Sequence, residues 1–183
     1  RSDALDESVP VETEFMSGKG HFGFAPTDVA VAPDGSLYVS VGGRGSRGGV
    51  FRVWSTSPSR PRRKPSDPLG QCLAAPQPLS SWSRARWRPI ARRLGRDPFV
   101  AAAADPKRST AGRVRAIEIL VELYRGLDGP LLASLATDED AAVRGRAAWA
   151  IGRTAGGRPD AKQLAPFLAD RHWKVARPAL EAL

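Results

Sequence analysis

The residues best placed to do chemistry lie in a glycine-rich stretch. Gly42, Gly43, Gly45, Gly48 and Gly49 fall close together, and the N–H groups of such a loop can cradle a phosphate or another anion. Yet no helix start follows, no Lys-Ser/Thr pair closes the motif, and strand-like residues come next. It is therefore neither a Walker loop nor a Rossmann turn. A flexible strand connector is the favoured reading, with anion or cofactor contact behind it. His21 sits in a second glycine-rich loop without a partner carboxylate nearby, and reads first as a surface residue. Asp28 and Asp34 lack the run of oxygen ligands that calcium needs; they read as a strand-edge and a turn residue. Cys72 is the only cysteine. That excludes an intramolecular disulfide, and no CxxC or CxxCH offers a zinc or haem site. With no nucleophile–base pair, loop carboxylate pair or metal cluster, no catalytic residue and no metal ligand is assigned.

Charge offers a different chemistry. The 183 residues carry a net charge of +9, distributed as −2 over residues 1–59, +9 over 60–110 and +2 over 111–183. Nucleic-acid binders gather basic side chains on one folded face. Part of this excess, Arg60-Pro-Arg-Arg-Lys64, lies among prolines and reads as a solvated, self-repelling spacer. Arg84, Arg86, Arg88, Arg92, Arg93 and Arg96 form the candidate surface of a basic helical nucleic-acid binder. Hydrophobic content of 42% with 26% charged residues suits a folded chain. No apolar run approaches the ~20 residues of a membrane span.

Two periodicities must position these groups. Thr27–Ala32 and Ser36–Val41 alternate in polarity around Pro33-Asp34-Gly35. Asp-Gly between alternating runs predicts a hairpin, because Gly35 takes a positive φ without a Cβ clash. Val50–Trp54 predicts a third strand, with Val50 on one face and Phe51 and Val53 on the other. Val9–Met16 offers one more. The expected product over residues 1–54 is an antiparallel meander whose apolar face needs neighbours. Residues 55–78 contain Pro58, Pro61, Pro65, Pro68, Pro76 and Pro78, which predicts an extended spacer with no regular helix.

From residue 79 to 183 the period becomes helical. The first expected helix, residues 80–94, carries Trp87, Ile90, Ala91 and Leu94 on one stripe, with Pro89 bending it. Asp97-Pro98 opens a second. Ser109 or Thr110 caps a third, with Val114, Ile117, Leu120, Val121 and Tyr124 facing the core. Pro130–Ala136 is a short helix. Thr137 and Asp140 make a capping box for Ala141–Arg153. After a glycine-rich loop at 154–159, Asp160 caps the helix at 161–168 and Asp170 opens the last one; Pro166 and Pro178 should kink those two. The unit recurs: Ala116-Ile117-x-x-Leu120, Ala147-Ala148-x-x-Ile151 and Ala179-Leu180-x-x-Leu183 are offset by 31 and 32 residues. A fixed period of helix pairs is the mark of an α-solenoid. Asp138 is expected at its helix start, accepting N–H groups, and Arg144 to reach an acid in an adjacent turn. Trp82, Trp87, Trp149 and Trp173 read as packing anchors.

Two resemblances follow. Phe24 through Pro26-Thr27-Asp28-Val29-Ala30 and Pro33-Asp34-Gly35 to Leu37-Tyr38-Val39-Ser40 resembles part of a blade of a bacterial β-propeller of the PQQ-dependent glucose/sorbosone dehydrogenase type. That resemblance implies a ligand-side rim at loop 42–49, with Arg44 and Arg47 contacting cofactor, and His21 contacting a quinone or sugar. Val41 stands where such blades commonly carry Asp, which weakens the case for a polar or metal-contacting role there. Asp138 to Gly152 resembles a HEAT repeat.

Together these describe an α+β chain of two modules. A partial propeller blade (1–54) and a proline/arginine linker (55–78) precede an all-α HEAT-like solenoid (79–183) truncated at its C-terminus. The chain reads as a piece of a longer protein, without a signal peptide. Its expected role is a scaffold that binds a protein partner on the solenoid surface, not catalytic by itself and with no cofactor of its own. The alternative is a fragment of a sugar or alcohol dehydrogenase whose parent uses PQQ. Nucleic acid is the less favoured partner. The resemblance implies a periplasmic or extracellular location.

Overall fold

The computed structural model describes residues 14–18, 24–42, 48–56, 65–153 and 161–183. The chain divides into two compact units, Arg1–Pro61 and Arg62–Leu183. Its elements are a small antiparallel sheet in the first unit and helices in the second.

The sheet contains β1 (Pro26–Val31), β2 (Leu37–Val41) and β3 (Gly49–Val53), in the order β1-β2-β3 and antiparallel throughout. The hairpin forms where Asp-Gly predicts it. Gly35 has φ 85°, and its N–H donates to the Ala32 carbonyl at 2.9 Å. The Asp34 carboxylate accepts from the Ser36 N–H at 2.9 Å and from Arg52 of β3 at 2.7 Å, which ties the turn to the third strand. Val39 of β2 pairs with Val29 on one side and Phe51 on the other. The flanks shield Val39 to 4% exposure, while Val29 and Phe51 stay open at 58% and 52%. Of the extra strand expected at Val9–Met16, residues 14–16 are described and form no strand; the rest lies outside the described residues.

The second unit contains α1 (Pro68–Leu73), α2 (Ser81–Leu94), α3 (Asp97–Ala104), α4 (Thr110–Tyr124), α5 (Gly129–Ala136), α6 (Ala141–Ile151), α7 (Ala161–Leu168) and α8 (Trp173–Glu181). Helix α1 corrects the expectation of a helix-free spacer. Pro68 sits at the helix start, where a missing N–H costs nothing, and Asp67 caps it by accepting from the Gly70 N–H at 2.6 Å. Helices α2, α7 and α8 continue through Pro89, Pro166 and Pro178. Helix α8 closes at Glu181, with Ala182 as its C-cap.

The core runs through Trp87, Phe99, Ile117, Leu135, Val143, Phe167 and Val175, all nearly inaccessible to solvent. Trp87 keeps its indole N–H satisfied by the Pro78 carbonyl at 3.0 Å. Small residues allow close approach between α6 and α8. A Cβ on Gly145 would lie 2.4 Å from the Lys174 carbonyl oxygen, and one on Gly152 would lie 2.8 Å from the Ala182 Cβ.

Equivalent positions of the repeat share a fate until α8. Ala116, Ala147 and Ala179 are fully buried. Ile117 and Leu120 of α4 and Ala148 and Ile151 of α6 are buried too, but Leu180 and Leu183 are 61% and 67% exposed. Trp173 is 58% exposed, which corrects its reading as a packing anchor. It stands at the first position of α8, ahead of the turns that pack on α6. Trp82 and Trp149 are half-buried.

Candidate functional site

Arg44, Arg47 and His21, the expected cofactor contacts, lie outside the described residues. Within the described part of the first unit, Asp28 accepts from the N–H of Val29 at 2.7 Å. Asp34 serves the turn, its pKa lowered by the backbone N–H and hydroxyl of Ser36 and by Arg52. Cys72 is fully buried against the Trp87 carbonyl, and burial pushes its thiol up to about 11. Among the described residues, no group of His, Cys, Asp and Glu could hold a metal ion, and no helix is long and apolar enough to cross a membrane.

The arginines expected to face nucleic acid do not act together. Arg84 and Arg88 point to Glu122 of α4 at 3.1 and 3.6 Å. Arg96 pairs with Asp128 at 2.7 Å, and Arg86 lies over the Trp82 ring. At 100° per residue, Arg86 and Arg93 fall on the opposite side of α2 from Arg84 and Arg88.

Two like arginine–aspartate forks join helices to turns further along the chain. Arg113 of α4 forks onto both carboxylate oxygens of Asp138, in the turn before α6. Arg144 of α6 does the same to Asp170, in the turn before α8, at 2.6 and 3.2 Å. Arg144 also donates to the carbonyls of Asp138 and Glu139. It lines an open cleft of about 600 Å³ with Asp138, Asp170 and Arg171. Its guanidinium is committed to the protein's own acceptors, which makes this a joint between α6 and the turn before α8. Asp138 accepts a backbone N–H at the helix start as expected, that of Asp140 at 3.0 Å; the capping residue of α6 is Asp140, not Thr137, whose hydroxyl donates back to the Ser134 carbonyl. His172 caps α8 through its ring nitrogen, and Asp170 just ahead of it accepts from the His172 N–H at 2.8 Å. In both turns the upstream Asp is held by the arginine.

A second set of contacts runs along α4 and α6, from buried Arg115 to exposed Arg153, and the sequence reading did not single it out. On α4, Arg115, Glu118 and Glu122 share one face; the same positions on α6, 31 residues later, are Arg146, Trp149 and Arg153. Glu118 binds Arg115 at 3.1 Å and Arg146 at 3.4 Å, bridging the two helices. Arg146 and Arg153 lie over the Trp149 ring, 4.9 and 5.6 Å from its centroid. Arg115 stacks on buried Trp87 at 4.4 Å. Its 5% exposure was hidden from the sequence, because a polar residue inside a core stripe is explained only by the Trp ring above it. The available signal was the i, i+3, i+7 spacing of Arg146, Trp149 and Arg153, which places them on one helix face.

No family model, curated protein or solved structure matches this chain.

Proposed function

We propose that the chain is a HEAT-type helical interaction module joined to the end of a β-propeller, and that it binds a protein partner without catalysing a reaction itself. The observation that carries this reading is the repeated joint. Arg113 with Asp138 and Arg144 with Asp170 make the same fork at successive turns, at the 31- and 32-residue offsets found in the sequence. A stack of like units presents long side-chain rows to a partner. Trp149 between Arg146 and Arg153 has the residue types that dominate binding energy at protein interfaces. A photoreactive p-benzoylphenylalanine placed at position 149 in the host cell is expected to give a discrete cross-linked protein, and one at position 93 none. No product from position 149 overturns the reading.

The second reading is that the piece belongs to a PQQ-dependent sugar or alcohol dehydrogenase, exported to the periplasm or cell exterior. It is favoured by the meander with its Pro33-Asp34-Gly35 turn. Arg44, Arg47 and His21 are then the proposed contacts to cofactor or sugar. Dye reduction by this chain with PQQ and glucose would support that reading and exclude a purely scaffolding role. Basic nucleic-acid binding is the weakest reading, since Arg84, Arg88 and Arg96 already face acids of their own unit.

A further inference from the structure

We propose that the outward face of α4 and α6, extended by α2, docks an acidic segment of a partner, with Trp149 as its centre. The inference rests on the interaction-module reading and adds the chemistry of the partner. Among the described residues, Arg84, Arg88, Arg146 and Arg153 bring four guanidiniums to this face, with buried Arg115 beneath it, and Glu118 and Glu122 bring two carboxylates.

The shortfall of acid is visible in the contacts. Glu122 is shared between Arg84 and Arg88, and Glu118 between Arg115 and Arg146. Among the described residues, Nε and Nη2 of buried Arg115 have no hydrogen-bond partner and lie against the Trp87 ring instead. Arg153 is exposed, and the Arg146 side chain keeps 35% exposure. Both guanidiniums lie over Trp149, which holds them at fixed places without neutralising them. A carboxylate-rich segment laid along the row supplies the missing charge. It accepts bidentate bonds from Arg146 and Arg153 and rests its apolar stems on the indole.

The row differs from a merely basic surface in where its charge sits. Arg92 and Arg93 of α2 are also exposed, but neither adjoins Trp149. They provide a control of equal charge.

The test is fluorescence anisotropy of a fluorescein-labelled twelve-residue glutamate peptide titrated with the full chain at about 20 to 150 mM salt. Binding is expected, weakening as salt rises. Arg146→Glu with Arg153→Glu should weaken it more than about ten-fold, and Arg92→Glu with Arg93→Glu less than about three-fold. Circular dichroism checks that each variant folds. If the reversal at 146 unfolds the chain through repulsion from Glu118, Arg146→Gln with Arg153→Gln replaces it and should still cost more than the control pair. Equal losses in both pairs, no binding at low salt, or tighter binding of a 20-base-pair DNA duplex through the same two arginines would overturn the proposal. A protein cross-linked at position 149 alongside a failed peptide titration would sink the acidic partner alone and leave the interaction module standing.

Discussion

Arg144 holds Asp170 through two parallel hydrogen bonds, 2.6 and 3.2 Å long, across 26 residues of sequence. Both side chains are largely covered, at 14% and 11% exposure. The pair joins α6 to the turn that launches α8, so it reports directly on the coupling of one helix pair to the next. Removing the guanidinium leaves a covered carboxylate and two backbone carbonyls without their donor. Arg144→Met is expected to cost about 2 to 3 kcal/mol, below the ~3–5 for a fully buried pair because some solvent reaches both groups. In thermal unfolding this is a fall of roughly 10 °C. Asp170→Asn added to Arg144→Met should cost less than the two changes summed, since the second no longer breaks a pair. Additive losses would show that the fork couples nothing.

Acid should weaken the second unit. Asp170 has a lowered pKa, first because Arg144 hydrogen-bonds it and then, against an opposing push from burial, because the His172 N–H does. Burial pushes Asp138 upward, but Arg113 and the Asp140 N–H outweigh it and the net shift is down. Asp140 is lowered chiefly by the Thr110 hydroxyl. A carboxyl with a lowered folded pKa binds fewer protons in the folded than in the unfolded chain, so stability rises with pH across that window. The contribution is complete above the ordinary value of 3.8 and is lost as pH falls below it through the folded values. Urea midpoints are expected to be level from about pH 7 to 5 and to drop below about 4. Asp138→Asn with Asp170→Asn should start lower and drop less steeply.

Gly145 sets local propensity against packing. In an isolated helix, alanine is favoured over glycine by about 1 kcal/mol. Here the added methyl would sit 2.4 Å from the Lys174 carbonyl, and forcing α6 and α8 apart costs about 1–3 kcal/mol. Gly145→Ala is therefore expected to lower the melting temperature despite its better propensity. Gly129→Ala, where nothing lies within 4 Å, should leave it within a degree or two. A stabilised Gly145→Ala would mean that the two helices do not meet there.

Cys72 should be chemically silent in the folded chain. Its thiol is fully buried and its pKa is pushed up to about 11 by burial, against a smaller opposing pull from Arg115. Labelling by iodoacetamide at pH 8 is expected to be over ~100-fold slower than in urea, because thiolate is scarce and the sulfur is covered. Prompt native labelling would show that α1 is not packed on α2.

The hairpin was legible because its causes are local: an Asp-Gly turn and alternating residues dictate it with no help from distant groups. Several helix starts were legible for the same reason, with Ser109 and Pro130 marking two of them. Helix α1 was missed because its proline was weighed as a breaker, although Asp67 before Pro68 makes it a starter. That arginines fork onto Asp138 and Asp170 was only half legible, because a sequence shows that an Asp stands near a helix start, and not which arginine from another helix holds it.

By itself the amino-acid sequence determined the meander, the 31- to 32-residue helical period and the places where helices begin, all of which depend on neighbours a few positions away. Only the tertiary structure decided which of many arginines are joints and which are open. Arg113, Arg115, Arg144 and Arg146 are chemically identical in sequence. Their roles diverge because an acid or an indole contributed by another element meets some guanidiniums and leaves others facing outward.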